Sequence, residues 1–256
     1  MAKRRLKKKV KQRLITLLLD IVMVIALCTA GYSGYKIYAS MQEDKESQES
    51  YDEIRTAVHE DTVGESMTTV SIDWNYLRSV NEDIAGWIRL DDSVVDYPFV
   101  YSPNNKYYLR RLMNGKYNRN GTIFVDYRNQ RNFTDRVTVL YGHHMHSGAM
   151  FADIEKYKEA GFYETHKVIQ IFTPDGKYEM LPAAGYVTTG TSSYIRLTFS
   201  DDEDYMGYIN KFYEKSLFQS EVTIGPQDRI ILISTCSYEV DDGRFALIGK
   251  LVPVND

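Results

Sequence analysis

The sequence predicts a mainly β domain with added helices, carried behind an N-terminal transmembrane helix and a helical stalk. Three observations predict it. An apolar stretch long enough to cross a bilayer follows a basic head. From Gly86 onward, short strand-like segments alternate with turn residues. Helix-like stretches only interrupt those strands. Many short strands at this spacing suggest a closed or nearly closed β-barrel.

The head comes first. Residues 1–13 hold eight Lys/Arg and no acid. Residues 14–39 are mostly apolar, and Asp20 is the only charged residue between 14 and 32. About 20 residues at a 1.5 Å rise span a ~30 Å hydrocarbon core. Basic residues before the stretch and acidic ones after it put the N-terminus in the cytoplasm. A cleaved signal peptide is the rival reading, and Cys28-Thr29-Ala30 is only a fair cleavage site. Asp20 is costly in lipid and marks either a snorkelling side chain or a partner helix.

Residues 40–62 are polar, acidic and free of Gly and Pro, which reads as a helical stalk. A short loop is expected over 63–70. A second helix then starts at Ser71 to Trp74, with Ser71 or Asp73 as N-cap and Trp74, Leu77 and Val80 on one face. Strands are expected at 86–90, 94–101, 121–127 and 136–144. A hairpin over 167–173 and 177–189 turns at Pro174-Asp175-Gly176. Strands at 229–236 and 245–254 close the chain. Residues 150–157 and 201–218 read as helices, the second with an acidic first turn that suits the positive end of a helix. The organisation is a tail over 1–13, an anchor over 14–39, a stalk or linker over 40–70 and a folded domain over 71–256.

Charge and cysteine usage narrow the function. Residues 40–256 hold 22 Lys/Arg against 34 Asp/Glu, a net of −12. Such a body argues against nucleic acid as a partner, because phosphate binding needs a concentrated positive surface. Of the two cysteines, Cys28 lies in the apolar stretch. Cys236 is then the lone thiol of the exported body, without an intramolecular disulfide partner there. It is either a reactive thiol or a buried inert one.

Three segments could carry chemistry: Val139 to His146, Ile231 to Cys236, and Asp241 to Arg244. The first two end strands and the third enters the last strand, so the sheet can hold their side chains rigidly at a rim. A thiol attacking an amide must become a thiolate. The leaving amine needs an acid that titrates near neutrality, usually His. The oxyanion needs donors, and a guanidinium supplies them without losing its charge. Cys236, a histidine of the cluster and Arg244 could fill these roles. The histidines could instead be metal ligands, but adjacent strand residues point to opposite faces, so His143 and His144 do not readily share an ion. His144 and His146 could be plain surface residues, and Arg244 a solvated partner of Asp241 or Asp242.

Taken together, the segments resemble the sortases, class B most closely. Tyr141-Gly142-His143, followed by His144-Met145, is similar to that class's histidine motif. Ser234-Thr235-Cys236 is similar to the end of the cysteine motif. Gly243-Arg244 before Phe245-Ala246-Leu247-Ile248 is similar to the arginine-bearing entry to the final strand. Asp126-Tyr127-Arg128-Asn129 is also typical of class B. The resemblance covers roughly residues 72–254. Leu232 and Ile233 depart from the family's Thr and Leu, His144 takes a position often held by Asn, and Ser237 stands where some members carry an acid.

The resemblance implies an eight-stranded β-barrel with N-terminal helices and a long helix before the late strands. It implies a cysteine transpeptidase with Cys236 as nucleophile, His143 as general acid/base and Arg244 as orienter of substrate and oxyanion. Tyr141, Ser234 and Thr235 would line the substrate groove, with Tyr194 a further candidate to face it. The implied partners are proteins bearing a C-terminal sorting signal, and peptidoglycan or its lipid-linked precursor as amine acceptor. No cofactor and no metal are expected. A pilin-polymerising sortase, a hydrolytic cysteine peptidase and a non-catalytic membrane-tethered scaffold are the competing readings.

Overall fold

The computed structural model describes residues 2–63, 67–239 and 241–254, with side chains given for 11–60, 70–239 and 241–254. The chain divides into two compact units, Met1–Glu46 and Ser47–Asp256. Helix α1 runs Ala2–Arg55. Its apolar side chains in the first unit, Leu14 to Met41, are exposed. By length and composition it is a candidate membrane span.

In the second unit the last turns of α1 are amphipathic. Tyr51 and Ile54 are buried, and the Tyr51 hydroxyl donates to the Gly121 carbonyl at 2.6 Å. The helix ends at Arg55 and not near residue 62. Strands β1 (Val58–Val63) and β2 (Met67–Ile72) pair antiparallel, so a hairpin stands where the sequence suggests helix and loop. The tip of that expected loop, residues 64–66, lies outside the described residues. Helix α2 (Trp74–Val80) is capped by Asp73, whose carboxylate accepts from the Tyr76 amide, as Asp residues do at N-caps.

The remaining elements are β3 (Ile84–Arg89), β4 (Asp96–Tyr101), β5 (Ile123–Val125), β6 (Val137–Tyr141), α3 (Phe162–Thr165), β7 (Ile169–Thr173), β8 (Gly176–Thr189), α4 (Asp202–Lys215), β9 (Ile230–Cys236) and β10 (Gly243–Val254). Short 3-10 helices cover Tyr107–Arg110 and Ala152–Lys158. The second stands where a helix is expected over 150–157, wound as a 3-10 helix. Strands β3 to β10 close an eight-stranded barrel in the order β10-β8-β7-β3-β4-β5-β6-β9.

Two pairings in the barrel are parallel, β4 with β5 and β6 with β9. The second matters for the site, because it brings residues far apart in sequence to one rim. Helix α4 is held over the barrel by its apolar face. Tyr205, Tyr208, Ile209 and Phe212 are buried with Val137, Val139, Ile230, Leu232, Ala246 and Ile248. The opposite faces of the same strands, Leu140, Ile231, Ile233, Phe245 and Leu247, belong to the larger core. At the N-terminus of α4, the Asp201 carboxylate accepts from the Asp204 amide. Arg136, just before β6, pairs with Asp202 in its first turn.

Candidate active site

Period-two alternation sets the face of each site residue. On β9 the even positions Ile230 and Leu232 face α4, so Ser234 and Cys236 share that face. On β10 the same face carries Ala246 and Ile248, and two residues earlier Arg244. On β6 it carries Val137 and Val139, and then Tyr141. Helix α4 covers the middle of this face. Towards the ends of β6 and β9 the covering element is the segment before α4, through Tyr194.

Register then sets the level of each residue. Tyr141 is opposite Ser234 in the parallel pair. The Gly142 amide donates to the Ser234 carbonyl at 3.3 Å, which extends the pairing by a residue. Two residues further along both chains stand His143 and Cys236. Cys236 is opposite Arg244 in the β9–β10 pair. His143, Cys236 and Arg244 therefore lie at one level across three neighbouring strands. Gly142 is glycine because a Cβ there would come within 2.4 Å of the Phe151 ring. Phe151 in turn donates its amide to the His143 carbonyl at 2.8 Å.

The imidazole of His143 is partly buried and its Nε2 lies 2.7 Å from the Leu109 carbonyl. A carbonyl only accepts, so Nε2 carries the proton and Nδ1 is left to exchange one. Burial holds its pKa below the ordinary histidine value. The Leu109 carbonyl opposes that, and the Arg110 and Arg244 cations reinforce it.

His144 is held differently. Its Nδ1 lies 2.7 Å from Glu155 Oε2 and 3.3 Å from the Cys236 carbonyl. Glu155 is buried, yet it stays a carboxylate. Burial alone would raise its pKa, but donation from Ser237 and Lys158 and the Lys158 and His144 charges bring it below the usual range. His146 stacks on the ring of Tyr238 at 4.2 Å.

Arg244 is partly exposed, and its Nη2 makes a 2.8 Å ion pair with Asp242. Asp242 has a left-handed backbone, φ 51°, and its carbonyl accepts from the Gly190 amide at 2.8 Å. A Cβ on Gly190 would lie 2.5 Å from the Asp242 carboxylate, so glycine lets the two loops close over the rim. Tyr194 is buried and shares a 2.8 Å hydroxyl–hydroxyl hydrogen bond with Ser234. Burial raises its pKa, and Arg244 and Cys236 are close enough to act on it electrostatically.

The structure brings His143, Cys236, Arg244, Tyr141 and Ser234 to one face. The Tyr141 ring reaches away from the thiol, and its hydroxyl donates to Asp126 Oδ2 at 2.8 Å. Asp126 also takes the Arg128 guanidinium fork, which absorbs most of the Asp126 to Asn129 motif into support of β6. Thr235 is not brought to the site face. It is 1% exposed and has the parity of Ile231 and Ile233, so its side chain belongs to the larger core. Two contributors carry no sequence signal. The Leu109 carbonyl is backbone, and Glu155 sits in a run of charged residues that reads as a solvated helix.

An eight-stranded barrel with Cys236 opposite Arg244 and His143 just beyond β6 is the arrangement expected from the resemblance to a family of cysteine transpeptidases. Comparison with known proteins resolves the family. The chain is 31% identical to sortase B of Staphylococcus aureus over 239 residues, which is 93% of this chain and 98% of that protein. It is 35% identical to sortase B of Listeria monocytogenes over 224 residues, 86% of this chain and 91% of that protein. Among solved structures, the S. aureus sortase B–substrate complex superposes with a TM-score of 0.68 at 34% identity, covering 71% of this chain and 85% of that one. No family model matches the sequence. The chain belongs to the class B sortases.

Proposed function

We propose that this protein is a membrane-anchored transpeptidase that cleaves a C-terminal sorting signal and joins the released protein to a peptidoglycan amine. The observation that carries the reading is the common level of His143, Cys236 and Arg244 on one barrel face. The positive-inside bias of residues 1–13 supports a cytoplasmic N-terminus and a catalytic domain on the outer side, and the one candidate span among the described residues supports a single crossing.

The chemistry follows from the side chains. Neutral His143 takes the thiol proton of Cys236 at Nδ1, while Nε2–H stays on the Leu109 carbonyl. The thiolate adds to the scissile carbonyl carbon, and the oxyanion is met by N–H donors of Arg244. For this, the Asp242 pair must share or release part of the guanidinium. Collapse breaks the C–N bond, and the imidazolium gives its proton to the departing amine. The thioacyl enzyme keeps the N-terminal part of the substrate. An acceptor amine then adds to the thioester, its proton passes to Nδ1, and the C–S bond breaks. Ser234 shares the face of Cys236 and lies buried beneath Tyr194, so it would shape the groove through that tyrosine.

The test uses the full chain in detergent with a fluorogenic sorting-signal peptide, with and without a small wall-type amine. The expected result is cleavage that Cys236→Ala abolishes, and a ligated product that forms only with the amine. Cleavage persisting in Cys236→Ala would overturn the nucleophile assignment. Cleavage without ligation at any amine concentration would make the enzyme a hydrolase.

A further inference from the structure

Glu155 is 4% exposed, although it lies in the charged 3-10 helix Ala152–Lys158. Its oxygens collect donors from three segments. Oε1 accepts from Ser237 Oγ at 2.6 Å and from Lys158 Nζ at 2.9 Å. Oε2 lies 2.7 Å from His144 Nδ1. That same nitrogen is 3.3 Å from the Cys236 carbonyl, and the Tyr238 hydroxyl donates to the His144 carbonyl at 2.6 Å. Lys158 also bonds Glu239 at 2.7 Å. Each residue from Cys236 to Glu239 is thus tied to Glu155 directly or through one partner.

We infer that Glu155 is a positioning residue, which uses Ser237 and His144 to fix the strand end carrying Cys236 against the loop carrying His143. The inference rests on the nucleophile and acid/base reading above. Stability alone does not account for such a group. A buried ion pair is often matched by well-packed apolar side chains of similar volume, because desolvation offsets its Coulombic gain. Placement does account for it. Cys236 is the last residue of β9, and among the described residues the backbone ladder continues beyond it with the Ser237 amide on the Gly243 carbonyl at 2.9 Å. A reacting group displaced by about 1 Å can lose on the order of 100-fold in rate.

The test compares wild type, His143→Ala, Glu155→Leu and Ser237→Ala in the full chain. It reads kcat, KM, thermal midpoint and the rate at which iodoacetamide labels the Cys236 peptide at neutral pH. Labelling needs no substrate, so it separates this inference from the choice of peptide. Glu155→Leu is expected to stay folded, to lose about 30- to 100-fold in kcat with KM within about threefold, and to slow labelling by about tenfold. Ser237→Ala is expected to lose about fivefold in kcat. If His143→Ala slows labelling and Glu155→Leu does not, the positioning role is overturned while the catalytic reading stands. If His143→Ala leaves labelling at the wild-type rate, the His143–Cys236 pairing itself fails. A lower melting point with kcat per folded molecule intact would reduce Glu155 to a structural residue. Should Glu155→Leu not fold, wild-type kcat in Ser237→Ala would overturn the inference.

Discussion

His143 and His144 are neighbours in sequence with the same side chain, and the fold gives them opposite surroundings. His143 donates to a main-chain carbonyl, sits beside two arginines and is held toward the neutral form. His144 meets a buried carboxylate and the carbonyl of Cys236. A neutral ring with one committed nitrogen is suited to shuttling a proton with the other. A ring against an anion is suited to holding things in place. On the proposed reading one of the pair does acid–base work, and the acceptor each ring meets favours His143 for it.

The widest gap should appear on removing each ring. His143→Ala is expected to lower kcat by about 1,000-fold, within the usual range for a lost acid–base group. His144→Ala should lose about tenfold or less, with KM little changed. Equal losses would erase the distinction between the two rings.

A smaller effect should appear in the pH profile. Because His143 is held below its ordinary value of 6.5, the acid limb of kcat/KM should fall below pH 6.5. Activity is lost as the pH drops through that pKa, since the base becomes protonated. Arg244→Gln should cost about 100-fold or more and move this limb upward, because a cation that disfavours imidazolium is gone. A limb that stays put would break the link between the two residues.

The third effect concerns stability and belongs to the His144 side. Glu155 has a lowered pKa in the fold, so the stability it contributes is present above its unfolded value of about 4.5. That contribution is lost as the pH falls through the folded value. Glu155→Gln should flatten the melting point against pH below about 4.5, by chemical denaturation or calorimetry. The smallest effect is expected for Tyr238→Phe. Tyr238 is half-exposed, and removing its bond to the His144 carbonyl should cost about 1 kcal/mol or less.

Much of this was legible before any coordinates. The barrel strands were visible because half-buried strands alternate and their turns use Pro174-Asp175-Gly176 or Asp241-Asp242-Gly243. The three candidate residues His143, Cys236 and Arg244 were visible as strand ends and by their family motifs, and the register shows that they meet at one level. The β1–β2 hairpin was hidden because His59, Glu60, Asp61 and Thr62 have the polarity of a solvated helix, and their pairing depends on a partner strand. Thr235 was assigned to the groove on its motif alone, whereas strand parity turns it inward. Glu155 and the Leu109 carbonyl were invisible for a shared reason. Their roles are made by contacts between segments far apart in sequence, such as Glu155 with Ser237, and local composition does not record those.

The parallel pairing of β6 with β9 has a consequence for tolerance to change. His143 and Cys236 leave their strands at the same edge and in the same direction. The surface loops between them, apart from the segment carrying Glu155, can lengthen, shorten or be cut without altering their spacing, provided β6 to β9 and α4 keep their places. The β9–β10 turn has no such freedom, because it links Cys236 to Arg244 through one antiparallel register. New termini or inserted domains should therefore be accepted in surface loops between β6 and β9, and rejected between Ser237 and Gly243.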